Sequence, residues 1–448
     1  MEISTVILAQ GQFSLNLGLF SLFAASATSL AWVVFWFRLC SWKNAAPGWI
    51  AAYRFWVRIF ALCYFLALGY LVPLLIQLGT LWPGLLERVG NVAGPLVAFG
   101  LVSLFLFKSI FMGTLLYGQR RVSPRTHVIS ALGVAIGMSI TSWWAVSFWS
   151  WLQTPDGATL IDGRFQVYHW PDVILNPLAI PHMLLFLVNG LLAVGFMMIG
   201  VTGWLSRKRP LNEGEQCAFR VGLVIALVAA LSYWVVLDAS MQAFAKAQPL
   251  RAAAMAAYWQ SGGPADLVLL GWPDLATQSV NKIWSISGAQ TRWLGINVDQ
   301  ALLGLDAGRE HLPAIRGLFL LTRVLLFVLL ALTLLVLTTW WLSRRRGGDA
   351  AQLPSWLASV LAKSMFMGGM VCLLCFFWLE AGRWPYMVHG AILASDVVVQ
   401  ASATTLGIGM AGWLLLGVVL VVGFVRMFFH AARYGVVAVR KADARGKA

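Results

Sequence analysis

Charge is scarce in this chain. Only 11% of its 448 residues are Asp, Glu, Lys or Arg, whereas about a quarter of a soluble domain is charged. The shortage also excludes a disordered chain, because disordered chains combine low hydrophobicity with high net charge. Apolar residues make up 60% of the sequence, and the mean hydropathy is +0.79. The long apolar runs lack the alternation of barrel strands, so they predict an all-α polytopic membrane protein.

Side chains that bind metals are also few. Of the five cysteines, Cys372 and Cys375 form a C-x-x-C pair inside an apolar run, where packing is the commoner role of a thiol. Neither a disulfide framework nor a zinc site is predicted. Histidine, the usual axial ligand of haem, occurs only six times. Among the six, only His182 is predicted to lie within a membrane helix, and a hydrogen-bonded core histidine is the simpler interpretation there.

Windows of about 20 apolar residues predict the membrane spans. A long connection at residues 239–313 separates the sixth span from the seventh and is predicted to lie outside the membrane. Residues 1–448 are otherwise interpreted as a single membrane domain. The nine predicted spans are 14–37, 52–78, 92–117, 128–152, 175–206, 219–240, 314–342, 359–380 and 403–430.

The basic residues alternate between connections. Lys and Arg collect after the first, third, fifth and seventh spans and at the C-terminus, as in Arg207-Lys208-Arg209. The positive-inside rule therefore predicts an N-terminus and a long loop outside the cell, and a C-terminus in the cytoplasm. This topology, with contact to anionic lipid, accounts for the net charge of +15. No nucleic-acid partner is predicted.

Four ionisable residues stand out within or near the ends of predicted spans, where charge is costly and usually functional. Lys108 lies far from both ends of the third span, so we expect it to have an internal partner. Arg323 lies in the seventh span, and Glu380 ends the apolar run of the eighth. Lys363 lies near the end of its span, where the side chain reaches the interface.

Several short motifs occur in the order found in subunit I of the cytochrome bd-type quinol oxidases. Gly382-Arg383-Trp384-Pro385-Tyr386 resembles the G-R-Q-P-W segment of that family, and Gln248-Pro249-Leu250-Arg251 with Trp259 resembles its quinol loop. The resemblance implies nine helices, three haems, quinol oxidation at the outer loop, oxygen reduction, and a location in the bacterial cytoplasmic (inner) membrane. Further matches are Gln12-Phe13, Gly79-Thr80-x-Trp82, Trp151-x-Gln153-x-Pro155, Asn176-Pro177 and Gly271-x-Pro273-Asp274.

The resemblance carries few of the family's haem ligands over to this chain. Glu380 is the one ligand retained, and Arg323, Arg383 and His182 lie beside the corresponding sites. Phe and Leu have no lone pair for iron, so the resemblance implies no haem or fewer than three, with a haem b possible. The positions at which the family has its other haem-site residues are Phe20, Phe99, Lys108, Leu185 and Leu325.

The quinol loop is altered as well. Arg251 stands where the family has a lysine, and Ala256 stands where it has a glutamate. A guanidinium can donate a hydrogen bond to a quinone oxygen, but the alanine cannot accept a proton.

Three functions follow as hypotheses. The first is a haem-depleted subunit with a structural or docking role, partnered by a bd subunit II-like chain or a second subunit I-like chain. The second is an active oxygen-reductase subunit with altered haem ligation, through Glu380 and a displaced His182, and a non-quinol electron donor. The third is an ion or proton path through the scaffold. For Lys108 and Glu380 we further expect an intramembrane ion pair, because an ammonium would neutralise a buried carboxylate.

Overall fold

The computed structural model describes residues 3–44, 46–294, 303–308 and 312–434. Within these ranges nine helices are long and apolar enough to cross a membrane, which confirms the predicted all-α polytopic fold. Residues 435–448, which hold four of the five basic residues of the predicted cytoplasmic C-terminus, lie outside the described ranges. The nine spans are Thr5–Lys43, Pro47–Leu81, Pro83–Tyr117, Pro124–Trp151, Trp170–Ser206, Glu213–Ala247, Ile315–Arg345, Ser355–Arg383 and Ala403–Tyr434.

Three of these spans are assembled from more than one helical element. The third span contains a π-helical turn at Lys108–Met112 between two α-helices. In chain order the α-helices are α1 (Ile3–Lys43), α2 (Pro47–Leu81), α3 (Pro83–Phe107), α4 (Gly113–Tyr117), α5 (Pro124–Trp151), α6 (Trp170–Ile174), α7 (Ala179–Ser206), α8 (Glu213–Ala247), α9 (Pro249–Ala256), α10 (Ala289–Trp293), α11 (Ile315–Arg345), α12 (Ser355–Lys363), α13 (Met367–Arg383) and α14 (Ala403–Tyr434).

Turn residues explain why several helices begin outside the predicted apolar windows. Pro47, Pro83 and Pro124 lie in the first turns of α2, α3 and α5, where the missing amide hydrogen costs nothing. Asn212 caps α8 by accepting a hydrogen bond from the Glu215 amide, and the Glu215 carboxylate accepts one from the Asn212 amide. The helices therefore begin at these local signals and not where the apolar runs begin.

Three antiparallel hairpins lie in the connections after the fourth, sixth and eighth spans. Because these connections follow even-numbered spans, all three hairpins lie at the same end of the helical bundle. Their strands are β1 (Ala158–Ile161) with β2 (Arg164–Val167), β3 (Leu267–Asp274) with β4 (Ser279–Ile286), and β5 (Tyr386–Val388) with β6 (Ile392–Leu393).

The long connection begins at Gln248, because α8 continues past the predicted edge to Ala247. It contains α9, the β3–β4 hairpin and α10. An ion pair between Asp266 and Lys282, 2.7 Å apart, joins β4 to the residues before β3, and the hydrogen bond from Lys282 holds the pKa of Asp266 below its usual value. Residues 295–302 and 309–311 lie outside the described ranges. The assignment of residues 239–313 as an outer loop remains a prediction.

The first and fifth spans form the centre of the bundle. In their most apolar stretches 72% and 78% of the residues are buried. A Cβ at Gly190 of α7 would lie 2.3 Å from the backbone oxygen of Ala25 in α1, so the two helices approach closely at a small residue. The third and ninth spans lie at the periphery, with only 11% of the corresponding residues buried.

Candidate functional site

Glu380 and Arg383 form a buried ion pair at the end of α13. They are three residues apart on one helix face, and Arg383 Nη2 lies 2.9 Å from Glu380 Oε2. The side chains are 6% and 1% exposed, respectively, so solvent screens the pair little. Gln10 Nε2 and Ser14 Oγ of α1 donate to the same carboxylate oxygen at 3.1 and 3.3 Å. The carboxylate therefore has a cation and two hydrogen-bond donors from the protein itself.

Arg251 lies near this ion pair and is 1% exposed. Its Nη1 donates to Gln153 Oε1 at 2.7 Å and to Gln248 Oε1 at 3.0 Å, and its Nη2 donates to the Leu379 backbone oxygen at 3.3 Å. Burial lowers the pKa of Arg251 to about 9, and the negative charge of Glu380 opposes that shift. The cluster therefore holds two arginines and one carboxylate.

Gly382 provides the space that Arg251 occupies. A Cβ at position 382 would lie 2.1 Å from Arg251 Nε and 2.4 Å from its Cζ. A side chain larger than hydrogen would therefore displace the guanidinium. Gly382, Gln153 and Gln248 belong to three motifs that lie far apart in the sequence, and the structure brings the three motifs together around Arg251.

The sequence reasoning missed Gln10 and Ser14 as partners of Glu380. The two residues are four apart in the first span, so they lie on one face of α1. A polar face within an apolar span was the available signal, because such side chains need partners inside the protein.

His182 lines a largely apolar cavity of about 240 Å³ between α1, α2, α3, α5, α7 and α13. Leu185, one helical turn away, and Phe20 line the same cavity. His182 is 3% exposed, and within the described part of the chain neither ring nitrogen has a hydrogen-bond partner. The prediction of a hydrogen-bonded core histidine is therefore wrong. The helix directs the imidazole into a largely apolar space, where its ring lies 5.7 Å from that of Phe244.

The two remaining apolar candidate positions do not line this cavity. Phe99 is 55% exposed and stacks on Trp144, with the ring centroids 5.1 Å apart. Leu325 is 1% exposed and belongs to the packed core formed with α7 and α8. Phe20 and Leu185 are thus brought together, whereas Phe99 and Leu325 lie elsewhere.

Lys108 has an environment opposite to the predicted one. Its side chain is exposed on the outside of the chain, and its Nζ lies 5.8 Å from the ring centroid of Phe105. Glu380 forms its ion pair with Arg383. The prediction of an internal partner for Lys108, and of an ion pair with Glu380, is therefore wrong. The two residues do not form the polar path expected of an ion conductor.

Arg323 attaches the long connection to the seventh span. Its Nε donates to the Val268 backbone oxygen at 2.9 Å, and its Nη1 donates to the backbone oxygens of Met255 and Phe319. The guanidinium also lies 3.5 Å from the centroid of the Phe319 ring. Trp259, the other loop candidate, is partly buried against the same core. The contacts of Arg323 are thus with the loop and not with Glu380.

The donor set limits how haem could bind. No group of three or more His, Cys, Asp or Glu side chains gathers as metal ligands within the described ranges, but haem iron needs only one or two axial ligands from the protein. The unpartnered buried imidazole and carboxylate atoms of the described residues are the two His182 nitrogens, His389 Nδ1 and Glu380 Oε1. Of the candidate residues, His182 and Glu380 are therefore the ones that could ligate a haem iron.

Comparison with known proteins agrees with the predicted resemblance. The family model for cytochrome bd terminal oxidase subunit I matches residues 8–436. The chain is 25% identical, over 464 aligned positions, to cytochrome bd ubiquinol oxidase subunit 1 of Bacillus subtilis (strain 168), covering 96% of this chain and 95% of that protein. It is 26% identical over 225 residues to cytochrome bd-II ubiquinol oxidase subunit 1 of Escherichia coli (strain K12), a match that spans 49% of this chain and 44% of that protein.

The fold is similar to a solved structure. The bd oxidase from Geobacillus thermodenitrificans aligns with a TM-score of 0.87 at 19% sequence identity, covering 96% of this chain and 98% of that one. At this identity the likeness shows the fold alone, and the family match over nearly the whole chain shows the relationship. This multi-pass membrane protein belongs to the cytochrome bd terminal oxidase subunit I family.

Proposed function

We propose that this chain is a haem-depleted subunit of a respiratory electron-transport complex, in which it serves as a structural or docking subunit. The observation that carries the proposal is that Phe20 and Leu185, which have no lone pair for iron, line the cavity, and the pairing of Glu380 with Arg383, Gln10 and Ser14 supports it. A carboxylate that already has a cation and two donors inside the protein does not need iron to balance its charge.

The apolar positions support the same proposal. Phe20 and Leu185 line the cavity with side chains that have no lone pair, and Phe99 and Leu325 lie away from it. If these positions correspond to the ligands of the family, as the motif order implies, the chain has lost the axial pairs that hold its haems. Neighbouring residues cannot restore a missing axial ligand, because they only orient and tune ligands that are present.

Quinol oxidation by this chain alone is not part of the proposal. Both terminal nitrogens of the Arg251 guanidinium already donate to Gln153, Gln248 or the Leu379 backbone, and its unpartnered Nε is buried. Ala256 lies in the same helix, α9, and is buried. Oxidation of a quinol requires an acceptor for its protons, and alanine provides none.

A second candidate is an active subunit that holds one haem b through His182. The two unpartnered nitrogens of a buried histidine at a cavity favour it, and Glu380 Oε1 is also without a hydrogen-bond partner in the described structure. A bound haem would supply one-electron transfer. The residues of this chain would contribute axial ligation by His182 and a positive charge from Arg383, which lines the same cavity.

The membrane setting of the proposal follows from the charge pattern and the family. We place the chain in the bacterial inner membrane with its N-terminus and long loop outside and its C-terminus in the cytoplasm, as the basic connections predict. The relatives from B. subtilis and E. coli are both named as subunit 1, which supports a partner subunit in the membrane. A bd subunit II-like chain or a second subunit I-like chain would fill that role.

A pyridine haemochrome spectrum of the purified chain tests the proposal. We expect fewer than 0.1 haem per chain, taken as about the level of adventitious binding, and no oxygen uptake with reduced quinone. About one haem per chain would overturn the proposal. If that haem disappears in His182→Ala but persists in Arg323→Met, the second candidate is correct.

A further inference from the structure

The third span exposes a charged residue at a depth where the membrane is apolar. Lys108 lies nine residues before Tyr117, which is about 14 Å along a regular α-helix and slightly less here because of the π-helical turn. This distance is about half the thickness of the roughly 30 Å hydrocarbon core. The four methylene groups of a lysine cannot carry its ammonium across that distance to the headgroups. An exposed lysine at this depth therefore needs a partner from outside the chain.

Packing against α5 fixes the direction in which this part of the span faces. A Cβ at Gly137 would lie 2.3 Å from Phe107, and a Cβ at Gly133 would lie 2.7 Å from Phe111. Both phenyl rings therefore pack directly over glycines of α5. The side chains between these two rings in the sequence, Lys108 among them, are exposed, and Lys108 also borders a small cavity inside the bundle.

The outward face has the shape of a helix-packing surface. Ser109 and Gly113 are exposed and four residues apart, and nothing lies within 4 Å of a Cβ built on Gly113. Two small residues at this spacing allow another membrane helix to approach closely. Ile110 and Val102, 54% and 62% exposed, extend the same outer surface with apolar area.

We propose that the face formed by Val102, Lys108, Ser109, Ile110 and Gly113 is the docking surface for a transmembrane helix of another subunit. That helix presents an Asp or Glu carboxylate to the Lys108 ammonium. The inference rests on the proposed role as a subunit of a membrane complex, and it names the chemistry of the partner. The charge of Lys108 is the reason for committing to an acidic helix, since lipid chains cannot compensate it.

A second copy of this chain fits the face poorly. A two-fold axis through the face would bring the two Lys108 side chains together, because such an interface joins the same patch of both copies. Like charges in an apolar environment repel strongly. The partner is therefore a different subunit.

Photo-cross-linking in the native complex tests which molecule covers the face. A benzophenone amino acid at Ile110 is compared with one at Val235, which is 71% exposed on α8. We expect the Ile110 probe to cross-link to a membrane-span peptide that contains Asp or Glu, and the Val235 probe not to cross-link to that peptide. Cross-links from Ile110 to lipid only, or to a second copy of this chain, would overturn the proposal.

Charge reversal tests the ion pair itself. Lys108→Glu should reduce the amount of the partner subunit that co-purifies with this chain by about tenfold or more, an effect of about 1.4 kcal/mol. Replacing the acidic residue of the partner helix by Lys should then restore the complex. Lys363→Glu is the matched control and should leave the complex intact. The isolated Lys108→Glu chain should unfold at the wild-type temperature, because the side chain is exposed. An unchanged yield of the partner with Lys108→Glu, or no rescue, would contradict the proposal. Neither result depends on the haem content, so this experiment and the haemochrome spectrum fail independently.

Discussion

Replacing Glu380 by Gln should destabilise the protein more than any other single change in the buried cluster. The substitution keeps the shape of the side chain and removes its charge. Arg383, which is 1% exposed, then loses its counter-ion, and Arg251 loses the negative charge that favours its protonated form. Two arginines remain buried without an anion.

The magnitude follows from the burial of the pair. Removing one partner of a buried ion pair costs about 3–5 kcal/mol, because the other charge remains without compensation. We expect the cost of Glu380→Gln to lie near the lower end of this range, since the amide oxygen still accepts a hydrogen bond. Arg383→Met should cost less, because Glu380 keeps the donors Gln10 and Ser14 and the nearby charge of Arg251.

The assay is thermal unfolding of the detergent-purified chain, followed with a thiol-reactive fluorophore. Four of the five cysteines are buried, so the dye reports loss of packing. A nine-helix protein need not unfold in two states, so the ranking of the midpoints is the observable. Glu380→Gln should have the lowest midpoint, Arg383→Met a higher one, and the double variant should recover towards wild type because it leaves fewer unpaired charges.

The matched control is Glu87→Gln. Glu87 pairs with Arg164 at 3.5 Å, but these side chains are 68% and 62% exposed, and surface pairs contribute little to stability. We expect its midpoint to equal that of wild type. The reasoning is refuted if Glu380→Gln behaves like Glu87→Gln, or if the double variant is as unstable as the two single effects added together.

Two further predictions concern neighbouring positions. Gly382→Ala should lower the unfolding midpoint, at a cost of about 1–3 kcal/mol, because the added methyl group collides with Arg251. Gly412→Ala is the control. It has open space around the added atom and should leave the midpoint unchanged or raise it. Arg323→Met should increase amide hydrogen exchange in the β3–β4 hairpin by about tenfold or more, because the charged hydrogen bond to Val268 is lost; unchanged exchange there would show that the arginine does not hold the loop.

The fold could be predicted from sequence because its signal is local. A run of about 20 apolar residues identifies a membrane span without knowledge of its neighbours, and all nine predicted spans are present. The ends of the helices were less predictable, since α8 begins at the Asn212 cap and continues to Ala247, beyond the apolar window at both ends. Polar caps and loop contacts determine these helix ends, and a hydropathy window does not detect such contacts.

The site could be predicted only in part, because its contacts join distant segments. The motif residues Arg251 and Gly382 are in contact, but the motif order served only to recognise the family and did not predict this contact. The hydrogen bond from Gln10 to Glu380 joins residues 370 positions apart, and no periodicity predicts such a contact. Lys108 was assigned an internal partner by the rule that charges in spans face inward, but packing of the adjacent phenylalanines on α5 directs it outward.

The π-helical turn at Lys108–Met112 also affects how the third span is compared with those of other proteins. Such a turn takes in one residue more than a regular turn, which rotates every later side chain by about 100° relative to an uninterrupted helix. Plain counting from Pro95 would assign Gly113–Tyr117 to the wrong side of the helix. The extra residue lies inside the span. A sequence alignment that places the matching gap in the loop after the span would therefore misalign Gly113–Tyr117, although the aligned lengths would still agree.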